Sequence, residues 1–120
     1  TGETIMLRQI LGEFLRLDGV TAAVVMGKDG FIIESANSGT FDLEALGAIS
    51  STGIRTTQQM GGELGKGSML QMMVEFESGS VLFSPLSAEE LVAIIGEAGV
   101  NVGRVRYELK KNRERIIAAL

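Results

Sequence analysis

The sequence predicts an α+β domain built around one five-stranded antiparallel sheet. Hydrophobic spacing divides the 120 residues into elements in the order helix, strand, strand, helix, strand, strand, strand, helix. Tight turns join most of the strands, which favours antiparallel pairing. Two of the strands are apolar at both odd and even positions, so we expect helices to cover both faces of the sheet. No linker divides the chain, and residues 1–120 are expected to form a single domain.

Helical spacing, a β-branched run and a turn signal mark the first three elements. Residues 5–17 carry apolar side chains three and four positions apart, and Asp18-Gly19 is expected to end this first helix. The run VTAAVVM at Val20–Met26 predicts a central strand. Asp29-Gly30 then predicts a tight hairpin into a return strand at Phe31–Ala36.

A long second helix is predicted at Leu43–Leu64, with Asp42 as its N-cap. Most side chains between residues 45 and 53 are small, and each interior glycine costs up to about 1 kcal/mol relative to alanine. Two interpretations stay open: another helix packs closely against these residues, or the helix lies flat on its own sheet. The expected apolar face comprises Leu43, Leu46, Ile49, Gly53, Thr57, Met60 and Leu64.

Three strands and a final helix are predicted in the second half of the chain. Met69–Phe76 has the pattern of a third strand and Val81–Leu86 that of a fourth. Ser87–Glu90 matches a helix capping box, whereas the glycines that follow favour a short buried strand at Leu91–Ile95. Asn101 is expected to cap the last helix.

The composition excludes several classes of active site. The chain has no His and no Cys, which removes the commonest general base, thiol nucleophiles and the usual zinc ligands. The Gly-rich segment around Lys66 lacks the spacing of a phosphate-binding loop, and it follows a helix instead of a strand. We therefore expect no catalytic residues, no metal and no cofactor, and a protein that is not an enzyme.

Charge is distributed unevenly along the chain. Residues 1–103 carry a net charge of −8 and residues 104–120 a net charge of +4. The basic segment either meets an acidic partner or forms a solvated helix face. An acidic chain with few aromatic residues is poorly suited to binding nucleic acid. Because no long apolar run and no signal peptide is present, the sequence predicts a soluble cytoplasmic protein without membrane insertion.

The third predicted strand indicates contact with another chain. Glu75 is the only charged side chain between residues 69 and 76, although edge strands are normally protected by charge, proline or short length. If this strand lies at an edge, a two-fold pair of chains would join strand to strand and second helix to second helix. If it lies inside the sheet, it needs no cover.

Several segments combine into a pattern that resembles a known family. These are LGEFLRLDGVTAAVVM at residues 11–26, KDGFIIES at residues 28–35, Leu91–Ile95, and Asn101–Arg104 near the C-terminus. The combination resembles the Roadblock family, which includes dynein light chains and bacterial MglB-type regulators. The match covers essentially the whole chain, and it favours the strand at Leu91–Ile95 over a helix.

The resemblance implies an arrangement of layers and a set of partners. The long second helix would cover one face of the sheet and the two terminal helices the other, as in a profilin-like Roadblock domain. The third strand and second helix would form a homodimer, whose paired helices dock on a small Ras-like GTPase. The expected dimer-interface residues are Ala45, Ala48, Thr52, Met69, Gln71, Met73 and Glu75. The expected GTPase-facing residues are Arg55, Thr56 and Gln59.

The leading functional hypothesis is a homodimeric regulator or adaptor of a Ras-like GTPase, acting through protein–protein docking. One alternative is a scaffold subunit of a motor or trafficking complex that changes no reaction rate. Another is a small-ligand sensor, in which the Met-rich third strand lines a pocket. Arg55 could supply an arginine finger, although an exposed helical arginine more often serves as a solubilising charge.

Overall fold

The computed structural model describes residues 2–120, with the side chains of residues 6–120, and shows the predicted order of elements. In chain order, the elements are α1 Gly2–Phe14, β1 Val20–Gly27, β2 Ile32–Asn37, α2 Leu43–Glu63, β3 Met72–Phe76, β4 Gly79–Pro85, β5 Glu90–Glu97 and α3 Val102–Ala118. None of these helices is long and apolar enough to cross a membrane.

The five strands form one antiparallel sheet in the order β2-β1-β5-β4-β3. The predicted fold class is therefore confirmed. β3 lies at an edge of the sheet, so the alternative in which this strand is internal is wrong. The other edge is β2, and β1, β5 and β4 lie between them.

Helices cover both faces of the sheet, as the two-sided apolar strands predict. Side chains of β1 alternate between the two layers: Ala23 and Val25 face the core shared with α1 and α3, whereas Val24 and Met26 face α2. All four are fully buried. Because β5 is apolar on both faces in the same way, β1 and β5 connect the two layers at the centre of the molecule.

Some boundaries differ from those predicted. The helix α1 ends at Phe14, three residues before the predicted end, because the amides of residues 15–17 bond to carbonyls three positions back and tighten the chain into turns. Strand β3 begins at Met72, so Met69 precedes it. Regular alternation along the predicted strand Met69–Phe76 would place Met69 on the same face as Gln71, but Met69 packs on the α2 side with Met72 and Val74, so that placement is wrong.

The segment Ser87–Glu90 forms one of the two hydrogen bonds of a capping box without starting a helix. The Ser87 hydroxyl oxygen accepts from the amides of Glu89 and Glu90, both at 3.1 Å, and the hydroxyl donates to the Glu90 carboxylate. The chain then continues as β5, which confirms the predicted strand. Ser and Glu three positions apart can close a turn before a strand as well as before a helix.

Candidate functional site

Two glycines hold the first half of α2 against the β1–β2 hairpin. Gly30 has a φ of +93°, which glycine adopts without strain. A Cβ atom on Gly47 would overlap the carbonyl oxygen of Gly30, so only glycine fits at this point of α2. The helix backbone therefore rests directly on the hairpin backbone.

The second half of α2 reaches the opposite side of the sheet. The Thr57 hydroxyl donates to the Met72 sulfur at 3.3 Å, which connects α2 to the edge strand β3. Between these two contacts Ile54 is buried against the sheet. The Asp42 side chain accepts from the Ala45 amide at 3.0 Å and caps the helix, as predicted.

The buried face of α2 differs from the predicted apolar face. Gly47, Ser50 and Ile54 are the buried residues, whereas Ile49 is 75% exposed and a Cβ atom on the exposed Gly53 would meet nothing within 4 Å. The small residues at 47 and 50 let the helix approach closely, and this rotates Ile49 outward. Close packing on its own sheet thus explains two of the small residues and leaves the others on the outer face.

The outer face of α2 contains all six helical residues of the predicted site. All six are exposed: the expected dimer-interface residues Ala45, Ala48 and Thr52, and the expected GTPase-facing residues Arg55, Thr56 and Gln59. Most steps between them are three and four positions, which places them along one side of the helix. Ile49 adds a large apolar side chain to this mostly small surface.

The two edges of the sheet differ in their protection. Along β2, Ile33 is an extra residue that shifts the register with β1, and Glu34 pairs with Arg8 of α1 at 3.0 Å. Along β3, the five residues Met72–Phe76 pair with β4 without interruption, and Glu75 is the only charge. Bulges protect edges against pairing, so β3 is the edge that is open to another strand.

The predicted strand residues do not share a surface with the outer face of α2. Met73 lies under α3, where it lines a cavity of about 10 Å³ with Val102 and Val105. Gln71 lies beside Arg106, which donates from Nε at 2.6 Å when the amide oxygen faces it. Glu75 is exposed. On β3, Met72 and Val74 face α2, whereas Met73 and Glu75 alternate onto the opposite face of the sheet.

A groove that the sequence did not predict lies on the α2 side, at the end of the sheet away from the β1–β2 hairpin. Its volume is about 550 Å³, and it lies between residues 38–41 and the β3–β4 turn. Phe41 and Phe76 form opposite walls and are both exposed. Phe41 lies in a loop and Phe76 at the end of β3, and their spacing along the sequence carries no periodic signal, so only the folded chain reveals this groove.

The described residues present surfaces for contact with other molecules. Among them, no three acidic side chains come together to hold a metal ion. The buried carboxylate of Glu34 forms an ion pair with Arg8. What the geometry offers is an unpaired strand edge, a helix face of small side chains, and an open groove beside them.

Comparison with known proteins identifies the relatives of this fold. Residues 6–96 match the Roadblock/LC7 domain. Three uncharacterized proteins of Methanocaldococcus jannaschii are 31% to 33% identical over 113 residues, covering 94% of this chain and 95% to 98% of theirs.

Solved structures share the whole fold at low sequence identity. An MglB with a tetrameric arrangement superposes with a TM-score of 0.91 at 16% identity, over 99% of this chain and 90% of that one. The gliding protein MglB from Thermus thermophilus gives 0.90 at 16%, over 99% and 91%. Profilin II of Acanthamoeba castellanii gives 0.57 at 13%, over 83% and 86%. The sequence match over most of its length shows that this chain belongs to the Roadblock/LC7 domain family.

Proposed function

We propose that the protein is a homodimeric, non-catalytic regulator or adaptor of a small Ras-like GTPase. The observation that carries this proposal is the combination of an open β3 edge with an exposed small-residue face on α2. The structural likeness to MglB supports the choice of partner class, because the sequence resembles the MglB-type regulators of Ras-like GTPases.

The proposed dimer pairs β3 of one copy with β3 of the other in antiparallel fashion. A two-fold axis perpendicular to the sheet then produces one continuous sheet and keeps both copies of α2 on the same face. Of the expected interface residues on α2, Thr52 lies closer to β3, whereas Ala45 and Ala48 lie beside the hairpin contact at Gly47, toward the other edge of the sheet. The strand pair would satisfy the unpaired backbone groups of β3, which the monomer leaves open to solvent.

The paired α2 face is the proposed GTPase-docking surface. Arg55, Thr56 and Gln59 lie in the second half of the helix and offer one cation and two neutral hydrogen-bonding groups. Any effect on GTP hydrolysis would arise in the partner, through the position of its switch segments. Such a regulator needs shape and contact area and no reactive group of its own.

A capture experiment tests the partner class. The purified chain, immobilised, is exposed to Ras-like GTPases from its source organism in the presence of GDP or a GTP analogue, and single-turnover hydrolysis is then measured on what it retains. We expect retention of a GTPase that depends on the nucleotide, and an altered hydrolysis rate. A scaffold subunit would instead retain its partner in both nucleotide states with an unchanged rate.

Substitution of Arg55 by alanine separates docking from arginine-finger chemistry. We expect Arg55→Ala to leave the hydrolysis rate at saturating regulator essentially unchanged, because Arg55 is an exposed helical side chain. An arginine finger contributes about 10³- to 10⁵-fold to the rate, so a loss of that size would identify one. Arg16→Ala, an exposed arginine outside α2, is the matched control.

A further inference from the structure

The groove between Phe41 and Phe76 lies on the part of the sheet that α2 leaves uncovered. Val81 and Ile95, which line it, belong to the α2-side layer. Val81 lies near the start of β4, where Gly79 pairs with Phe76, and Ile95 lies near the end of β5, where Gly96 pairs with Val20. Both are far from the hairpin contact at Gly47. One end of this sheet face is therefore covered by α2, and the other end is open.

The helix α2 crosses the strands at a steep angle and extends past the open edge. From Gly47 at the hairpin to Thr57 at β3 are ten residues, about 15 Å of helix. The hairpin and β3 are separated by three to four strand spacings, about 14–19 Å. The two lengths agree only if the helix runs nearly across the strands. The last turns of α2, with Met60 54% exposed and the cap residue Leu64 64% exposed, therefore project beyond β3.

The two-fold axis of the proposed dimer brings this projecting end over the open end of the other copy. Antiparallel pairing of two β3 strands about their central residue Val74 places Met72 of one copy beside Phe76 of the other. Beyond Thr57, Met60 lies about one strand spacing farther along the helix and Leu64 about two. Met60 then reaches the Phe76 wall, and Leu64 reaches the start of β4.

We infer that the groove receives the C-terminal turn of α2 from a second copy of this chain, with Leu64 seated between Phe76 and Phe41. This inference rests on the proposed homodimer and adds an exchange of helix ends to it. Leu64 is exposed in the single chain, and so are Phe41 and Phe76 of the groove. Insertion of the helix end would bury these apolar side chains against one another.

Charge at the rim of the groove fits the same occupant. Lys66 follows the end of α2 and is exposed, and Glu97 lines the groove and is exposed. Neither residue takes part in the ion pairs formed among the described residues. Insertion of the α2 end from another copy carries Lys66 toward Glu97, so the two charges complement each other across the interface.

Cysteine cross-linking tests this inference, because the chain has no native cysteine. Leu64→Cys is combined with Ser78→Cys, an exposed groove residue, in one chain and treated with a short bismaleimide. We expect most of the protein to shift to a covalent dimer on a denaturing gel. The control combines Leu64→Cys with Glu89→Cys, an exposed residue of the β4–β5 turn at the other end of the sheet, and should remain monomeric.

The mass in solution distinguishes failure of the inference from failure of the dimer. A dimeric mass by light scattering with no covalent dimer for Leu64→Cys/Ser78→Cys would overturn the groove occupant and leave the dimer standing. Equal cross-linking of the Glu89→Cys control would overturn it as well, since the reaction would then report collisions. A monomeric mass at micromolar concentration would refute the proposed homodimer itself, together with the inference that rests on it.

Discussion

At the scale of single residues, the contact between Gly30 and Gly47 determines how α2 lies on the sheet. Each glycine faces the carbonyl of the other, at distances that no Cβ atom tolerates. The partners are backbone atoms, which cannot move aside as a flexible side chain would. The contact therefore selects which side of α2 is buried and which side faces outward.

Substitution of Gly47 by alanine should destabilise the fold. The added methyl group would meet the Gly30 carbonyl oxygen, and overpacking of this kind typically costs about 1–3 kcal/mol. Urea unfolding monitored by circular dichroism measures the change. Gly12→Ala is the matched control, because its Cβ would have nothing within 4 Å in helix α1. The control should be neutral or stabilising by about 0.5–1 kcal/mol; equal losses in both variants would contradict the role of the contact.

At the scale of elements, the sequence predicts the order, type and approximate bounds of all helices and strands. Asp42 and Asn101 identify the starts of α2 and α3 correctly, because an N-cap is a local interaction that needs only the next turn. The strand at β5 is also predicted correctly, despite the capping-box pattern at Ser87.

The buried face of α2 could not be predicted from spacing alone. Two neighbouring stripes, one through Ile49 and one through Ser50 and Ile54, both satisfy helical periodicity. The choice between them is made by Gly30, which lies 17 positions before Gly47 and touches it only after the sheet has formed. Met69 and the groove between Phe41 and Phe76 escape prediction for the same reason, because both depend on contacts between distant segments.

A charge on the outer face of α2 should disrupt the proposed dimer without unfolding the chain. Gln59 is exposed and follows Thr57, which contacts β3, so Gln59→Glu tolerates solvent in the monomer but brings two like charges together where the helices pair. Combined with Met73→Glu, which places a carboxylate opposite Glu75 of the other copy when β3 pairs about Val74, it should give a monomeric mass by light scattering at micromolar concentration. Ala118→Glu, a substitution in α3 on the opposite face of the sheet, should remain dimeric. An unchanged dimer in the double variant would contradict the proposed interface.

At the scale of the whole molecule, the basic C-terminal segment lies on the face opposite α2, and part of its charge is used within the chain. Arg113 donates to the carbonyls of Pro85 and Leu86 at 3.1 and 3.3 Å. Arg115 pairs with Glu13 of α1 at 3.0 Å. These bonds attach α3 to the sheet and to α1, so a structural role accounts for two of its cations. Lys110 and Lys111 remain exposed.

Thermal stability should depend on protein concentration. Association that occurs only between folded chains stabilises them by mass action, so Tm rises with concentration when a dimer is linked to folding. We expect this rise for the native chain in a dilution series followed by circular dichroism. The Gln59→Glu/Met73→Glu variant should show a Tm independent of concentration. A Tm that is also constant for the native chain would indicate that folding and association are not coupled.

The extra residue Ile33 in β2 has a consequence for how many copies can assemble. A sheet with two open edges could add chains at both ends without limit, which is the geometry of a fibre. Here one edge is interrupted by the bulge and the other is free. Once two free edges have met, both remaining ends of the joined sheet carry the bulge. In the proposed dimer, growth through strand pairing would therefore stop at two, and the same irregularity that bends one strand would limit the size of the assembly.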